Sequence, residues 1–366
     1  PPGYRVPQAH YDGAAMAAPD EHPDAAAQAS PARVPERAAA PARASAPHPR
    51  SLRHFPVTAF GITMGLSGSS LAWRRDSDVL GWSGWLAEVL AWLALAAFVA
   101  VAVTYVAKLV RHPSSVRREW ANAATMPFAG TLTISLVLLA ATFLDIHRGF
   151  AEALWWTGAA GQLVLTVGVV RAWVANTGIS TADIHPAWLI PMIGMLAVPL
   201  AGAQIAPADL NWFFFAIGAA YYVALLPLVL HRLIAVEAMP PALAPTLAVL
   251  IAPPAVALTA WMGLGGDWDS PVAHVLRALV VFHVLLLATQ VDTLARAPFA
   301  LSAWAYTFPL GSASVALLAS ADAGAWGGFR VLGAACLLVL TAILAVLAWR
   351  TAAMALRGDL LRPQKI

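Results

Sequence analysis

The sequence predicts an all-α integral membrane protein, with ten transmembrane helices as five helical hairpins around a central pore. Gly- and Pro-kinked odd-numbered helices are expected to form its inner ring. Three observations predict this class. Of 366 residues, 60% are hydrophobic and only 11% charged, where a soluble domain carries about a quarter charged residues. Mean hydropathy is +0.70, and apolar runs of about 20 residues recur as far as residue 351, a length that crosses a hydrocarbon core of roughly 30 Å. The runs also alternate in character, one class rich in Gly, Pro and hydroxyls, the other mostly Leu, Ala, Val and Trp, with Pro227 in the sixth span and Gly158, Gly161 and Gly168 in the fourth as exceptions.

Residues 1–52 are rich in Ala, Pro, Arg, His and Asp, with almost no large apolar side chains. Such a segment cannot offset its ordering entropy and reads as a disordered cytoplasmic tail. His10, Asp12, His22 and His48 within it fit no rigid metal site, and neither metal nor cofactor is expected. The opening residues lack the basic-then-apolar pattern of a secretory leader. Residues 53–355 form the pore domain, and 356–366 a short cytoplasmic C-terminal tail.

The expected spans run near 55–73, 84–108, 124–144, 150–173, 186–204, 210–234, 242–261, 272–294, 302–320 and 327–351. With the N-terminus inside, the cytoplasmic connections receive Lys108, Arg111, Arg117, Arg118, Arg171, Arg232, Arg296, Arg350, Arg357 and Lys365, while the outside receives Arg74, Arg75, Arg148 and Arg330. That asymmetry places both termini in the cytoplasm of a plasma or inner membrane. The formal charge of +3 is spent flanking apolar runs, so no nucleic-acid partner is expected. Cys336 stands alone inside an apolar run, which leaves no disulfide framework.

The odd spans carry Gly61, Gly65 and Gly68; Pro127 and Gly130; Pro191, Gly194 and Pro199; Pro245, Pro253 and Pro254; and Pro309 and Gly311. They begin near 55, 124, 186, 242 and 302, so a helix pair recurs about every 60 residues. Proline inside a helix frees a carbonyl and kinks the axis. Hydrocarbon tolerates this only where protein or a watery cavity satisfies the freed group. Five such helices are therefore expected inside, shielded by five straighter ones, with Pro127, Pro191, Pro199, Pro253, Pro254 and Pro309 as the kinks.

The run Phe55-Pro56-Val57-Thr58-Ala59-Phe60-Gly61-Ile62-Thr63-Met64-Gly65, with Leu71-Ala72-Trp73-Arg74 after it, resembles the first helix of the tellurite-resistance/dicarboxylate transporter family. That family includes bacterial TehA, fungal malate and sulfite transporters, and plant guard-cell slow anion channels. Lys108-Leu109-Val110-Arg111-His112-Pro113, His231-Arg232-Leu233, Ala252-Pro253-Pro254 and Trp304-Ala305-Tyr306-Thr307-Phe308-Pro309 resemble further family segments in order. The resemblance implies ten helices around one pore per subunit, usually in a homotrimer, and a pore-plugging phenylalanine. By motif position that residue is Phe308, and the glycine facing it Gly61.

The centres of the odd helices hold no Lys or Arg, so an ion would meet hydroxyls, with Thr63, Ser67, Thr131, Thr307 and Ser312 as candidates. Neutral donors bind anions weakly and suit rapid throughput. Such a pore should pass chloride and favour easily dehydrated nitrate. Taken singly, each hydroxyl is expected to bond a carbonyl one turn back. Arg277 is expected to snorkel, Asp292 to pair with Arg296, and mid-span His283 is a candidate pH sensor. A passive channel for small inorganic or organic anions fits this pattern first. A proton-coupled carrier of C4-dicarboxylate, sulfite or tellurium oxyanions is the alternative. An enzyme is not expected, because Asp145-Ile146-His147-Arg148 and Asp183-Ile184-His185 are isolated pieces.

Overall fold

The computed structural model describes residues 50–175 and 178–362. Nearly all of the segment 1–52, with His10, Asp12, His22 and His48, lies outside the described residues, as does Lys365. Among the described residues the regular structure is entirely helical.

The chain builds five hairpins, and the same local sequence of events opens each. A 3-10 turn at Val57–Ala59 leads into α1 (Phe60–Leu80), which returns as α2 (Trp85–Arg111), followed by a short α3 (Pro113–Ala121). Met126–Ala129 leads into α4 (Gly130–Phe143), which pairs with α5 (Arg148–Ala175). Pro186–Leu189 leads into α6 (Ile190–Ala197) and α7 (Pro199–Ile205), and α8 (Ala208–Ala235) returns. Pro241–Ile251 leads into α9 (Ala252–Gly263), with α10 (Pro271–Ala288) and the short α11 (Val291–Ala295) behind it. Leu301–Tyr306 leads into α12 (Thr307–Asp322), and α13 (Gly328–Arg357) closes the set.

The prolines explain this pattern. Pro127 stands inside a 3-10 turn, while Pro191, Pro253, Pro254 and Pro309 stand in the first turn of an α-helix. A first-turn residue has no intrahelical acceptor for its N–H, so proline costs little there. The tighter 3-10 ladder is a common way to begin a helix. Most of the expected kinks are thus changes of helix type. Pro199 acts differently, dividing α6 from α7 at Val198.

Among the described residues, nine helical segments are long and apolar enough to cross a membrane. The helix α1 is 21 residues long, about 31 Å at 1.5 Å per residue. It is more polar, ending in Arg74, Arg75, Asp76 and Asp78. Burial separates two classes: the four inner segments other than α1 are 78–83% buried, and the five returning helices 22–39%. The inner helices close a ring in which α1 packs on α4, α4 on α6, α6 on α9, α9 on α12 and α12 on α1. Each returning helix packs on the outside of its own partner.

Exposed tryptophans mark the two ends of the bundle, with Trp82, Trp85 and Trp326 at one and Trp120 and Trp349 at the other. An amphipathic ring at such a level suits the boundary between lipid and water. The described chain ends meet at the basic end, where the Ser51 amide donates to the Leu361 carbonyl at 2.9 Å.

Two expectations about ionisable groups are corrected. Arg277 does not snorkel: it is 5% exposed, donates to the Trp268 carbonyl at 3.0 Å and lies 5.3 Å from the centre of the Phe329 ring. The loop after α9 folds over it, which hydropathy cannot show. Asp292 and Arg296 form no ion pair among the described residues, because α11 is a single short turn whose exposed side chains stay apart in solvent.

Candidate functional site

A small cavity sits where the five inner segments change helix type. Thr58, Gly61 and Met64 line it from the first, Phe128, Thr131 and Ile134 from the second, and Ile190 and Ile193 from the third. Val249 and Ala252 contribute from the fourth, and Leu301, Ser302, Ala305, Phe308 and Pro309 from the fifth. No returning helix reaches it, and no lining residue carries a charge. Its volume is about 20 Å³, room for roughly one water. A passage this narrow and apolar excludes hydrated ions both sterically and by dewetting.

Phe308 is 4% exposed, and its position follows from a close helix crossing. A Cβ on Gly61 would stand 3.5 Å from Trp304 Cβ. One on Gly65 would overlap the Thr307 hydroxyl, and one on Gly68 would stand 2.8 Å from the Phe308 ring. Glycines at this spacing let two helix backbones approach. Gly61 therefore shares the cavity with Phe308, but the glycine against the ring is Gly68.

The candidate hydroxyls divide. Thr131, Thr307 and Ser312 donate to carbonyls three residues back, at 2.6, 2.7 and 3.0 Å. Such back-bonding consumes the donor. Thr63 and Ser67 are fully buried and have no partner, and neither has Thr58, which lines the cavity. His283 does not line the cavity. Its Nδ1 lies 2.8 Å from the Leu279 carbonyl on its own helix, which requires the proton on Nδ1.

Several structural polar groups carried no signal in the apolar pattern. Gln162, fully buried on α5, accepts from Thr133 at 2.6 Å and donates to the Pro191 carbonyl at 2.8 Å. One amide thus ties the second inner segment to the third. Asp76, fully buried near the end of α1, accepts from Ser314 on α12. Lys108 is not a solvated flanking charge: it is 2% exposed and donates to Glu119 at 2.6 Å and to the Phe55 carbonyl at 2.7 Å. Glu119 also accepts from the Val57 amide at 2.6 Å and from the Tyr105 hydroxyl at 3.1 Å. This network fixes the start of the first inner segment, beside Thr58. An acidic residue eleven positions after an end-of-helix lysine was the only available hint.

At the same end, His185 donates from Nε2 to the Ala124 carbonyl at 2.9 Å and stacks on Phe128, itself a cavity wall. Burial, with the neighbouring Arg232 charge adding to it, pushes the imidazole down to about 4, so it is neutral at pH 7. Arg232 is buried, donates to the Glu237 and Ala182 carbonyls, and has no carboxylate partner among the described residues. Asp145 meets Arg74 at 3.5 Å, whereas Asp183 caps its own turn at Ser180, so the two Asp-Ile-His pieces serve separate structural roles.

The family model described as SLAC1, voltage-dependent anion channel, matches residues 54–352. The S-type anion channel SLAH2 of Arabidopsis thaliana is 28% identical over 280 residues, covering 74% of this chain and 53% of the relative. The guard cell S-type anion channel SLAC1 of the same plant is 24% identical over 306 residues, 81% of this chain and 55% of the relative. The tellurite resistance protein TehA homolog of Haemophilus influenzae is 23% identical over 259 residues, 70% of this chain and 78% of the relative. The chain spans about half the length of the plant relatives it matches.

Proposed function

The chain belongs to the SLAC1 family of voltage-dependent anion channels, and on that premise we propose that it conducts small monovalent anions passively through the centre of its own five-segment ring. Phe308 is the gate, and chloride and nitrate are the permeant ions. The observation that carries this reading is the uncharged cavity walled by all five inner segments, with Phe308 in its wall and room for about one water. The state described is the closed one.

In the open state an anion would meet Thr58, which lines the cavity and whose donor has no partner among the described residues, whereas Thr63 and Ser67 are buried away from that lining. Neutral donors replace only part of a hydration shell. Ions that shed water easily should therefore pass best, with nitrate ahead of chloride. Arg232 draws anions to the basic end, taken as cytoplasmic from the distribution of Lys and Arg. The working unit is a homotrimer in a plasma or inner membrane, each subunit with its own pore.

The likeness to a tellurite resistance protein favours a second reading, proton-coupled transport of C4-dicarboxylate, sulfite or tellurium oxyanions. Carriers of that kind hold ionisable groups along the pathway, and the lining residues include none. Reversal potentials in planar bilayers under chloride and nitrate gradients separate the two. A shift toward the nitrate equilibrium potential supports the channel. Silent bilayers together with pH-driven uptake into liposomes would replace it with the carrier.

A further inference from the structure

A groove of about 570 Å³ lies on the outside of the bundle, between α10 with α11 on one side and α13 on the other. Ala303, Tyr306 and Leu310 form its floor, which belongs to the fifth inner segment. Returning helices cover the ring; α10 and α13 touch where Arg277 meets Phe329, and toward the basic end the inner segment faces outward between them.

The walls are aliphatic, with Val284, Leu287, Val339 and Val346 among them. Two polar groups stand out against that lining. Arg350 holds its guanidinium 5.5 Å from the centre of the Phe299 ring at the basic end and has no carboxylate partner among the described residues. Tyr306 lines the groove with its ring, and its hydroxyl is buried with no hydrogen-bond partner among the described residues. The two lie at one level of the bundle, because Trp304 Nε1 donates to the Thr351 hydroxyl at 3.0 Å.

We propose that this groove binds an anionic phospholipid, with an acyl chain along the aliphatic walls and the Tyr306 ring, and the phosphate on Arg350. The chemistry fits each part of the groove. A cleft open to the bilayer and too apolar for water takes a hydrocarbon chain. A guanidinium without a carboxylate takes a phosphate in bidentate fashion. Arg296 is exposed on the segment that forms the groove's rim and adds positive charge at the headgroup level. This goes beyond anion conduction and does not depend on it.

The test is native mass spectrometry of the full chain released from detergent with added phosphatidylglycerol or phosphatidylcholine. Wild type should retain phosphatidylglycerol preferentially. Arg350→Gln should lower that retention roughly tenfold, the loss expected for a hydrogen bond to a charged group, with phosphatidylcholine little changed. Val339→Trp, at a half-exposed groove position, should block both lipids; melting temperatures matching wild type would exclude misfolding. Equal retention of the two lipids with no effect of Arg350→Gln would overturn the proposal. So would efficient protomer-to-protomer cross-linking through Val339→Cys in a Cys336→Ser background, since a second copy would then cover the groove. Because the readout is bound lipid, a failure of the channel reading leaves it intact.

Discussion

Phe308→Ala should convert a nearly silent protein into a conducting one, and the size of the change follows from the burial of the ring. Phe308 is 4% exposed in the closed state. Burying a phenylalanine side chain stabilises a state by about 1.5–3 kcal/mol. If opening exposes the ring, truncation removes that bias and raises the open population by roughly 10- to 150-fold, at about 1.4 kcal/mol per tenfold. The cavity grows as well. Truncation frees on the order of 100 Å³ of side-chain volume, enough for about three more waters at roughly 30 Å³ each. A continuous file of water then becomes possible through the narrowest point. The assay is macroscopic chloride and nitrate current from reconstituted protein at matched density. Phe308→Leu should fall between wild type and Phe308→Ala, which guards against a folding artefact. Monodisperse Phe308→Ala protein as silent as wild type would refute the gate.

Three further outcomes follow from the packing around the cavity. Gly65→Ala places a methyl group onto Thr307 and 2.9 Å from a Trp304 ring that is itself tied to Thr351; it should cost about 1–3 kcal/mol, read as a lowered melting temperature. Gly68→Ala pushes instead on the Phe308 ring, so it should raise basal current with less loss of stability. Lys108→Met leaves the Glu119 carboxylate buried without its cation and should cost about 3–5 kcal/mol. The double variant with Glu119→Gln should recover part of that loss in a thermal melt, and no recovery would sink the pairing. His185 stays neutral down to about pH 4 in the fold, against an ordinary value of 6.5. The unfolded chain therefore takes up the proton first, and stability should fall between about pH 6.5 and 4 by up to roughly 3 kcal/mol. His185→Gln should flatten the difference between melts at pH 7 and pH 5.

The ring was legible because its cause is compositional. Prolines at 127, 191, 253, 254 and 309 fall near the change from 3-10 to α in four of the five repeats, in segments shielded from lipid, although Pro227 stands inside the outer helix α8. Resemblance alone singles out Phe308, since one phenylalanine in an apolar helix looks like any other; its place in the cavity wall comes from the fold. The glycine opposite it was placed two turns too early. Lys108, Arg277 and Asp76 were opaque for a different reason. Each is a charged or acidic residue at a helix end, where sequence suggests water, and each is buried by a partner distant in sequence or by a folded-over loop. Gln162 was hidden in an apolar span because its two partners lie on different helices.

The change of helix type just before Phe308 also provides a way of moving its ring, the gate proposed above. Pro309 has no N–H, so neither the α bond to residue 305 nor the 3-10 bond to residue 306 can form from that position. The boundary at Tyr306 and Thr307 is therefore held by one bond fewer than an ordinary helix would supply. If the six residues Leu301–Tyr306 rewound from 3-10 to α, the segment would shorten by about 3 Å and its far end would swivel by roughly 120°. A third of a revolution is enough to carry an aromatic ring from the lumen into the wall. No outer helix need tilt, and the motion works like a screw advancing in a fixed thread.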